Sequence, residues 1–211
     1  ADTIDRLLPF LDTSEQNIRK GALVGILYFD QDNEIANRYL LDSVRSQDIN
    51  ERLFAAEVIA GTGIPHFSGY LVELLEDIDP LIVERAIVGA GNLHDPRLVH
   101  ILVKKLAIAP LQGTTSQSLR YFGEAALLEL DTELTSPEAT RQEKTNIIET
   151  IKEIGGGQAI EILLRHLEIA QPELRHRVLL SLAKLHYQAE PDDQYTFVNS
   201  LDEEVQLITW L

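Results

Sequence analysis

The sequence predicts an all-α fold, an α-solenoid of about seven antiparallel helix pairs, and three observations carry that prediction. Proline and aspartate recur as helix starts, apolar residues recur at helical spacing, and the pattern returns about every 31 residues. The clearest unit runs from Leu71 to Pro96, LVELLEDIDPLIVERAIVGAGNLHDP. Its first helix closes on Leu74, Leu75 and Glu76. Asp79 and Pro80 then supply an N-cap acceptor and a first-turn proline. In the second helix Ile82, Ala86, Gly89, Ala90 and Leu93 share one face, partly very small, which lets a neighbouring helix come close. Asp95 and Pro96 repeat the start signal.

Proline parses the rest. Of eight prolines, seven (Pro65, Pro80, Pro96, Pro110, Pro137, Pro172, Pro191) are expected to open a helix, where a missing N–H costs nothing. Pro9 falls inside a predicted helix and is expected to kink it. The pairs expected are 2–11 with 14–29, 33–45 with 48–62, 65–76 with 79–93, 96–107 with 110–122, 124–134 with 137–154, 157–169 with 172–187, and 191–200 with 203–211. A break at Phe122 and Gly123 pairs FGEAALLEL with IGGGQAIEILL, where Gly155 to Gly157 make the same turn. Overlaying the second helices puts Ala22, Ala55, Ala86, Thr115, Ile147, Val178 and Thr209 at one position, with spacings of 33, 31, 29, 32, 31 and 31 residues. The position of Ile82 is held elsewhere by Ile18, Glu51, Leu111, Glu143, Leu174 and Val205. Glu51 and Glu143 mark the two weakest units.

Composition narrows the function. The 211 residues carry 34 acidic against 18 basic side chains, a formal net charge of −16. Such a surface disfavours nucleic acid and anionic membrane, which call for a clustered positive field. No Cys is present, so there is no disulfide framework, thiolate metal site or cysteine nucleophile, which fits a reducing, cytoplasmic setting. No run approaches the ~18 apolar residues of a membrane helix, and ADTIDRLL lacks the features of a signal peptide. The chain reads as a single repeat domain, 1–211, and the absence of Met leads to the expectation of an excised piece of a longer chain or a processed one.

The runs LLEDIDPLIVERAIVGAGNLHDP, AQPELRHRVLLSLAKL and LDTSEQNIRKGALVGIL resemble the HEAT repeat, particularly the short bacterial form called the phycobilisome-lyase HEAT-like repeat. The resemblance covers nearly the whole chain and implies a fold rather than an activity. ERLFAAEVIAGTGIP through DPRLVHILVKKL further resembles cytoplasmic HEAT segments attached to nucleotide-carrier-like or other membrane transporters. Three functions follow as expectations: a non-catalytic protein-interaction scaffold, a regulatory segment contacting another domain of its own chain, and a subunit of the bilin lyase type.

In such a solenoid the second helices line the concave face. With Ile82, Ala86, Gly89 and Leu93 turned to the core, the helical period turns Leu81, Glu84, Arg85, Val88 and Asn92 to the groove. The matching positions elsewhere include Lys20, Val24, Tyr28, Leu53, Phe54, Glu57, Gln117, Tyr121, Asn146, Glu149, Glu153, His176, Arg177, Leu180 and Lys184. Tyr28, Phe54 and Tyr121 are the expected anchors for a protein or peptide, since aromatics dominate interface energetics, although the rings of Phe54 and Tyr121 can equally pack between repeats. Arg19, Arg52, Arg120 and Arg175 recur near helix starts and Asp12, Asp48, Asp77 and Asp202 in turns, a pattern that ties adjacent turns by charge-assisted bonds. Six histidines without HExxH or Cys point to no metal, and no nucleophile elbow or phosphate loop points to catalysis or a cofactor. The closing EEVQLITWL reads as an unfinished helix, so Trp210 and Leu211 are expected at a cut edge prone to self-association.

Overall fold

Every described segment of regular structure is helical. A computed structural model describes residues 2–169 and 172–189, together with 198, 199 and 202. The expected pair 191–200 with 203–211, the position of Thr209 and the edge at Trp210 and Leu211 lie outside the described residues. The helices are α1 (Asp2–Leu7), α2 (Gln16–Phe29), α3 (Glu34–Val44), α4 (Ile49–Thr62), α5 (Ser68–Leu75), α6 (Pro80–Leu93), α7 (Val99–Lys105), α8 (Gln112–Leu119), α9 (Glu124–Thr135), α10 (Arg141–Ile154), α11 (Gly156–Ile169) and α12 (Pro172–Lys184). They form six pairs, α1 with α2 through α11 with α12, stacked as a solenoid.

Side-chain acceptors start the helices. Asn33, Asp48 and Asp79 each accept a backbone N–H from the first turn that follows. Proline acts as expected at Pro65, Pro80, Pro96 and Pro110, although Pro65, Pro96 and Pro110 open short 3-10 turns that lead into α5, α7 and α8. Pro9 does not kink a continuous helix. It ends α1 and begins a 3-10 turn, Leu8–Asp12, because its ring removes the donor that the α ladder requires. Pro137 opens nothing: α10 starts at Arg141, where Thr140 and Glu143 form a reciprocal capping box that satisfies two backbone donors at once. The break at Phe122 and Gly123 is present, with Gly123 at φ 53°.

The register read from the sequence puts small or aliphatic residues at the centre of the stack. Ala22, Ala55, Ala86, Thr115, Ile147 and Val178 are all buried. The companion position is less regular, since Ile82, Leu111 and Leu174 are buried but Ile18 is exposed. Gly89 approaches Leu71 and Ala60, and Gly91 approaches Ser118, so closely that a methyl group at either would sit 3.1–3.4 Å from its neighbour.

Polar ties one period apart lace the units together. Arg52 donates to Asp77 at 2.6 and 3.2 Å and to the Ser46 carbonyl at 2.9 Å, joining the start of α4 to the α5–α6 turn. Arg19 pairs with Glu51 at 2.8 Å and Arg45 with Glu73. Arg97 reaches back to Ser68 at 2.9 Å while clasping buried Asp95 at 2.6 Å. Those hydrogen bonds hold the Asp95 carboxyl at about 2, below its ordinary 3.8, although burial pushes the other way. Because the folded-state value is depressed, this stabilisation is complete above about pH 3.8 and is lost as pH falls toward 2. Asp95→Asn keeps the cap acceptor but removes the charge. It should cost about 1–2 kcal/mol at pH 7, discounted because Arg97 is open to solvent, and most of the difference from the parent should be lost as pH falls from about 4 to 2. Urea titrations across pH 2–7 check it; a pH-independent difference would refute the charge assignment.

Candidate protein-binding groove

The second helix of each pair builds one continuous face. At four of the five steps along the stack the second helices meet more extensively than the first helices, so α2, α4, α6 and α8, and then α10 and α12, form the more continuous row. The step from α8 to α10 is the exception, with α7 and α9 the closer pair. The cause is legible in α8, QGTTSQSL, which is short and polar. Thr115, Ser116 and Ser118 are buried in α8, and Asn146 and Thr150 are buried in α10. Ser116 donates to Glu153 at 2.6 Å, and Asn146 donates to the Leu106 carbonyl at 2.9 Å.

Along this face the expected groove residues divide. Tyr28 is 67% exposed at the end of α2, edge-on to Phe29, with ring centroids 6.1 Å apart. Tyr121 is 57% exposed, with the His94 ring edge-on at 5.7 Å. Val88 is 38% exposed on α6, and Leu81 and Leu180 are exposed too. Arg85 and Arg177 are exposed on α6 and α12, and His176 stands beside Arg177 at the surface. Glu84 is half-buried and accepts from Thr114 Oγ1 at 3.1 Å, tying α6 to α8. Glu149 is half-buried and paired with Lys152 one turn on. Lys20 pairs with Glu57 at 2.9 Å across α2 and α4, and Asn92 donates to the Ala60 carbonyl at 3.2 Å.

Phe54 is the correction. It is 0% exposed, with the Arg19 guanidinium 4.3 Å above its ring centroid and the Tyr39 ring edge-on at 6.4 Å. The ring fills the space between α2, α3 and α4 and cannot anchor a ligand. Asn146, also placed on the groove by its spacing, is buried and donates to the Leu106 carbonyl at the end of α7. Phe29, which the spacing left out, is as exposed as Tyr28. The signal was the aromatic doublet at the very end of α2, just before Asp30, where a helix runs out of neighbours.

The remaining candidates are structural. Histidine contacts are pairwise, as in His100 with Glu129 and His166 with Asp131, and among the described residues no group of three or more His, Cys, Asp or Glu side chains could hold a metal ion. No described helix is long and apolar enough to cross a membrane.

No family model matches the chain, and no curated protein matches it. Solved structures do resemble it. The complex of CpcE and CpcF of phycocyanin lyase from Nostoc sp. aligns at 15% identity over 95% of this chain and 94% of that one, with a TM-score of 0.48. A designed armadillo repeat protein in complex with the peptide (KR)4 aligns at 16% identity over 95% and 99%, with a TM-score of 0.45. An engineered protein aligns at 18% identity over 87% and 96%, with a TM-score of 0.44. The chain is an all-α solenoid of stacked antiparallel helix pairs, an assignment that its own described helices carry.

Proposed function

We propose that the chain is a non-catalytic interaction module that binds a protein or peptide along the second-helix face. The observation that supports this reading is the row of exposed apolar side chains on it: Tyr28 and Phe29 at one end, Leu81 and Val88 on α6, Tyr121 after α8, and Leu180 on α12. Two of the row's members are tyrosines and one is a phenylalanine, the residue types that dominate interface energetics. Exposed Arg85 and Arg177 lie among them and are suited to carboxylate or carbonyl groups of the partner. The net charge of −16 steers encounter toward partners with a basic face, so rising salt should slow association.

The test is an array of immobilised 15-residue peptides probed with the whole chain. Peptides combining aliphatic or aromatic residues with Lys or Arg are expected to be retained. The triple variant Tyr28→Ala, Arg85→Ala and Arg177→Ala should weaken retention by at least about tenfold while leaving the melting temperature nearly unchanged. Retention equal to that of the parent would overturn the assignment of this face.

A further inference from the structure

We propose that the solenoid is jointed at a single step, between α8 and α10, so that α1–α8 and α9–α12 move as two arms.

Two positions on each second helix face the second helix that follows. They lie one and five residues after the aligned residues Ala22, Ala55, Ala86 and Thr115. In α4 the later of the two is Ala60, which stands 3.4 Å from the Cβ position of Gly89 on α6. In α6 it is Gly91, whose Cβ position is 3.2 Å from the Ser118 Cβ on α8. In α8 the earlier of the two is Ser116, which donates to Glu153 on α10 at 2.6 Å. The two positions hold Leu23 and Leu27 in α2, Ala56 and Ala60 in α4, and Ile87 and Gly91 in α6. For α8 they hold Ser116 and Arg120. Aliphatic or small residues thus carry the steps before this one, and a hydroxyl and a guanidinium stand at the step to α10.

The opposing surface of α10 is polar too. Glu153 takes the Ser116 hydroxyl, and Asn146, two turns earlier on the same side of the helix, donates to the Leu106 carbonyl at 2.9 Å. Separating two apolar helices returns their buried surface to water, at a cost that grows with area. Separating Ser116 from Glu153, or Asn146 from Leu106, exchanges each hydrogen bond for one to water, and the net difference is small. Opening therefore costs least at this step. The first helices form the pivot. Here α7 and α9 meet more extensively than α8 and α10, and His100 on α7 pairs with Glu129 on α9. The connection between the arms passes through Gly123, at φ 53° and ψ −122°, a conformation that a residue without Cβ adopts readily. Motion about α7 and α9 opens the second-helix side. It changes the distance from Leu81 and Val88 on α6 to Leu180 on α12, so a partner touching both ends selects one bend. That consequence rests on the groove reading, whereas the joint itself does not.

The chain contains no Cys, so nitroxide labels on introduced cysteine pairs report distances in the whole chain by pulsed dipolar spectroscopy. Arg85→Cys with Arg177→Cys spans three steps, from α6 to α12, and includes the joint. Asn17→Cys with Gln117→Cys spans three steps, from α2 to α8, and excludes it. Leu128→Cys with Arg177→Cys lies within the second arm. All five positions are exposed. No partner is added, so the result is independent of whether the groove binds one. The distance distribution across the joint should be at least about twice as broad as that of either control pair. Replacing the polar contact with an apolar one, Ser116→Leu together with Glu153→Leu, should narrow it toward the controls, and thermal melts confirm that the variant is folded. The comparison of the three pairs decides the question even if that variant does not fold. A distribution across the joint no broader than the controls, or equal breadth in the α2–α8 pair, would overturn the proposal, as would a folded double variant that keeps the full breadth.

Discussion

Phe54→Ala should lower the free energy of unfolding by about 3–5 kcal/mol, the range for removing a large aromatic from a closed core. The ring has no exposure, and α2, α3 and α4 all contribute to its surroundings. Its loss opens a cavity and removes the surface over which the Arg19 guanidinium sits at 4.3 Å. Arg19 is then left with its Glu51 pair and with Nε, which is buried without a partner. Phe54→Leu, which restores most of the volume, should recover more than half of the loss. Chemical denaturation of the three proteins measures both numbers. A Phe54→Ala variant as stable as the parent but deficient in peptide binding would return the ring to the groove and contradict its burial.

The misplacement of Phe54 shows where helical periodicity stops being informative. The reading took a narrow stripe centred on Ala55 as the core and turned Leu53 and Phe54 outward. In α4 the buried residues are Phe54, Ala55, Ala56, Val58, Ile59 and Thr62. At 3.6 residues per turn these sweep about 200° of the helix circumference. A helix in the middle of a stack has neighbours on three sides, so its apolar arc is wide, and a residue at the arc's edge cannot be assigned from spacing alone. In α2 the stripe is narrower, and on α6 an arc of similar width is rotated by about 40°, so Tyr28, Arg85 and Val88 are exposed as the spacing predicts. Which helices have three neighbours is a property of the assembled solenoid.

The fold itself was legible because its signals are local. Asn33, Asp48 and Asp79 cap helices through their own side chains, and each second helix buries the residue aligned with Ala86. Pro137 misled because a proline at a helix start is permissive rather than compulsory, and Thr140 with Glu143 offers two hydrogen bonds where proline offers none.

Gly91→Leu should destabilise the chain by about 1–3 kcal/mol, the usual cost of forcing a side chain into a filled interface. A Cβ at Gly91 would lie 3.1 Å from Ser118 Oγ, 3.2 Å from its Cβ and 3.3 Å from its Cα. The last contact is with backbone, so rotation of the serine side chain cannot relieve it and α6 must move away from α8. Gly69→Ala on α5 provides the contrast. Nothing lies within 4 Å of its Cβ position, and the residue is exposed in a helix. There the gain in helix propensity should stabilise the chain by up to about 1 kcal/mol. Gly91→Ala gains the same propensity against the clash, so its sign depends on the partner. In a Ser118→Gly background the side-chain clash is gone, and Gly91→Ala should shift toward stabilisation relative to its effect in the parent, a coupling that a double-mutant cycle measures directly. If Gly91→Leu and Gly69→Ala were equally benign, and the cycle showed no coupling, α6 and α8 would not approach at Gly91, and the close packing of the second-helix row would be lost at that step.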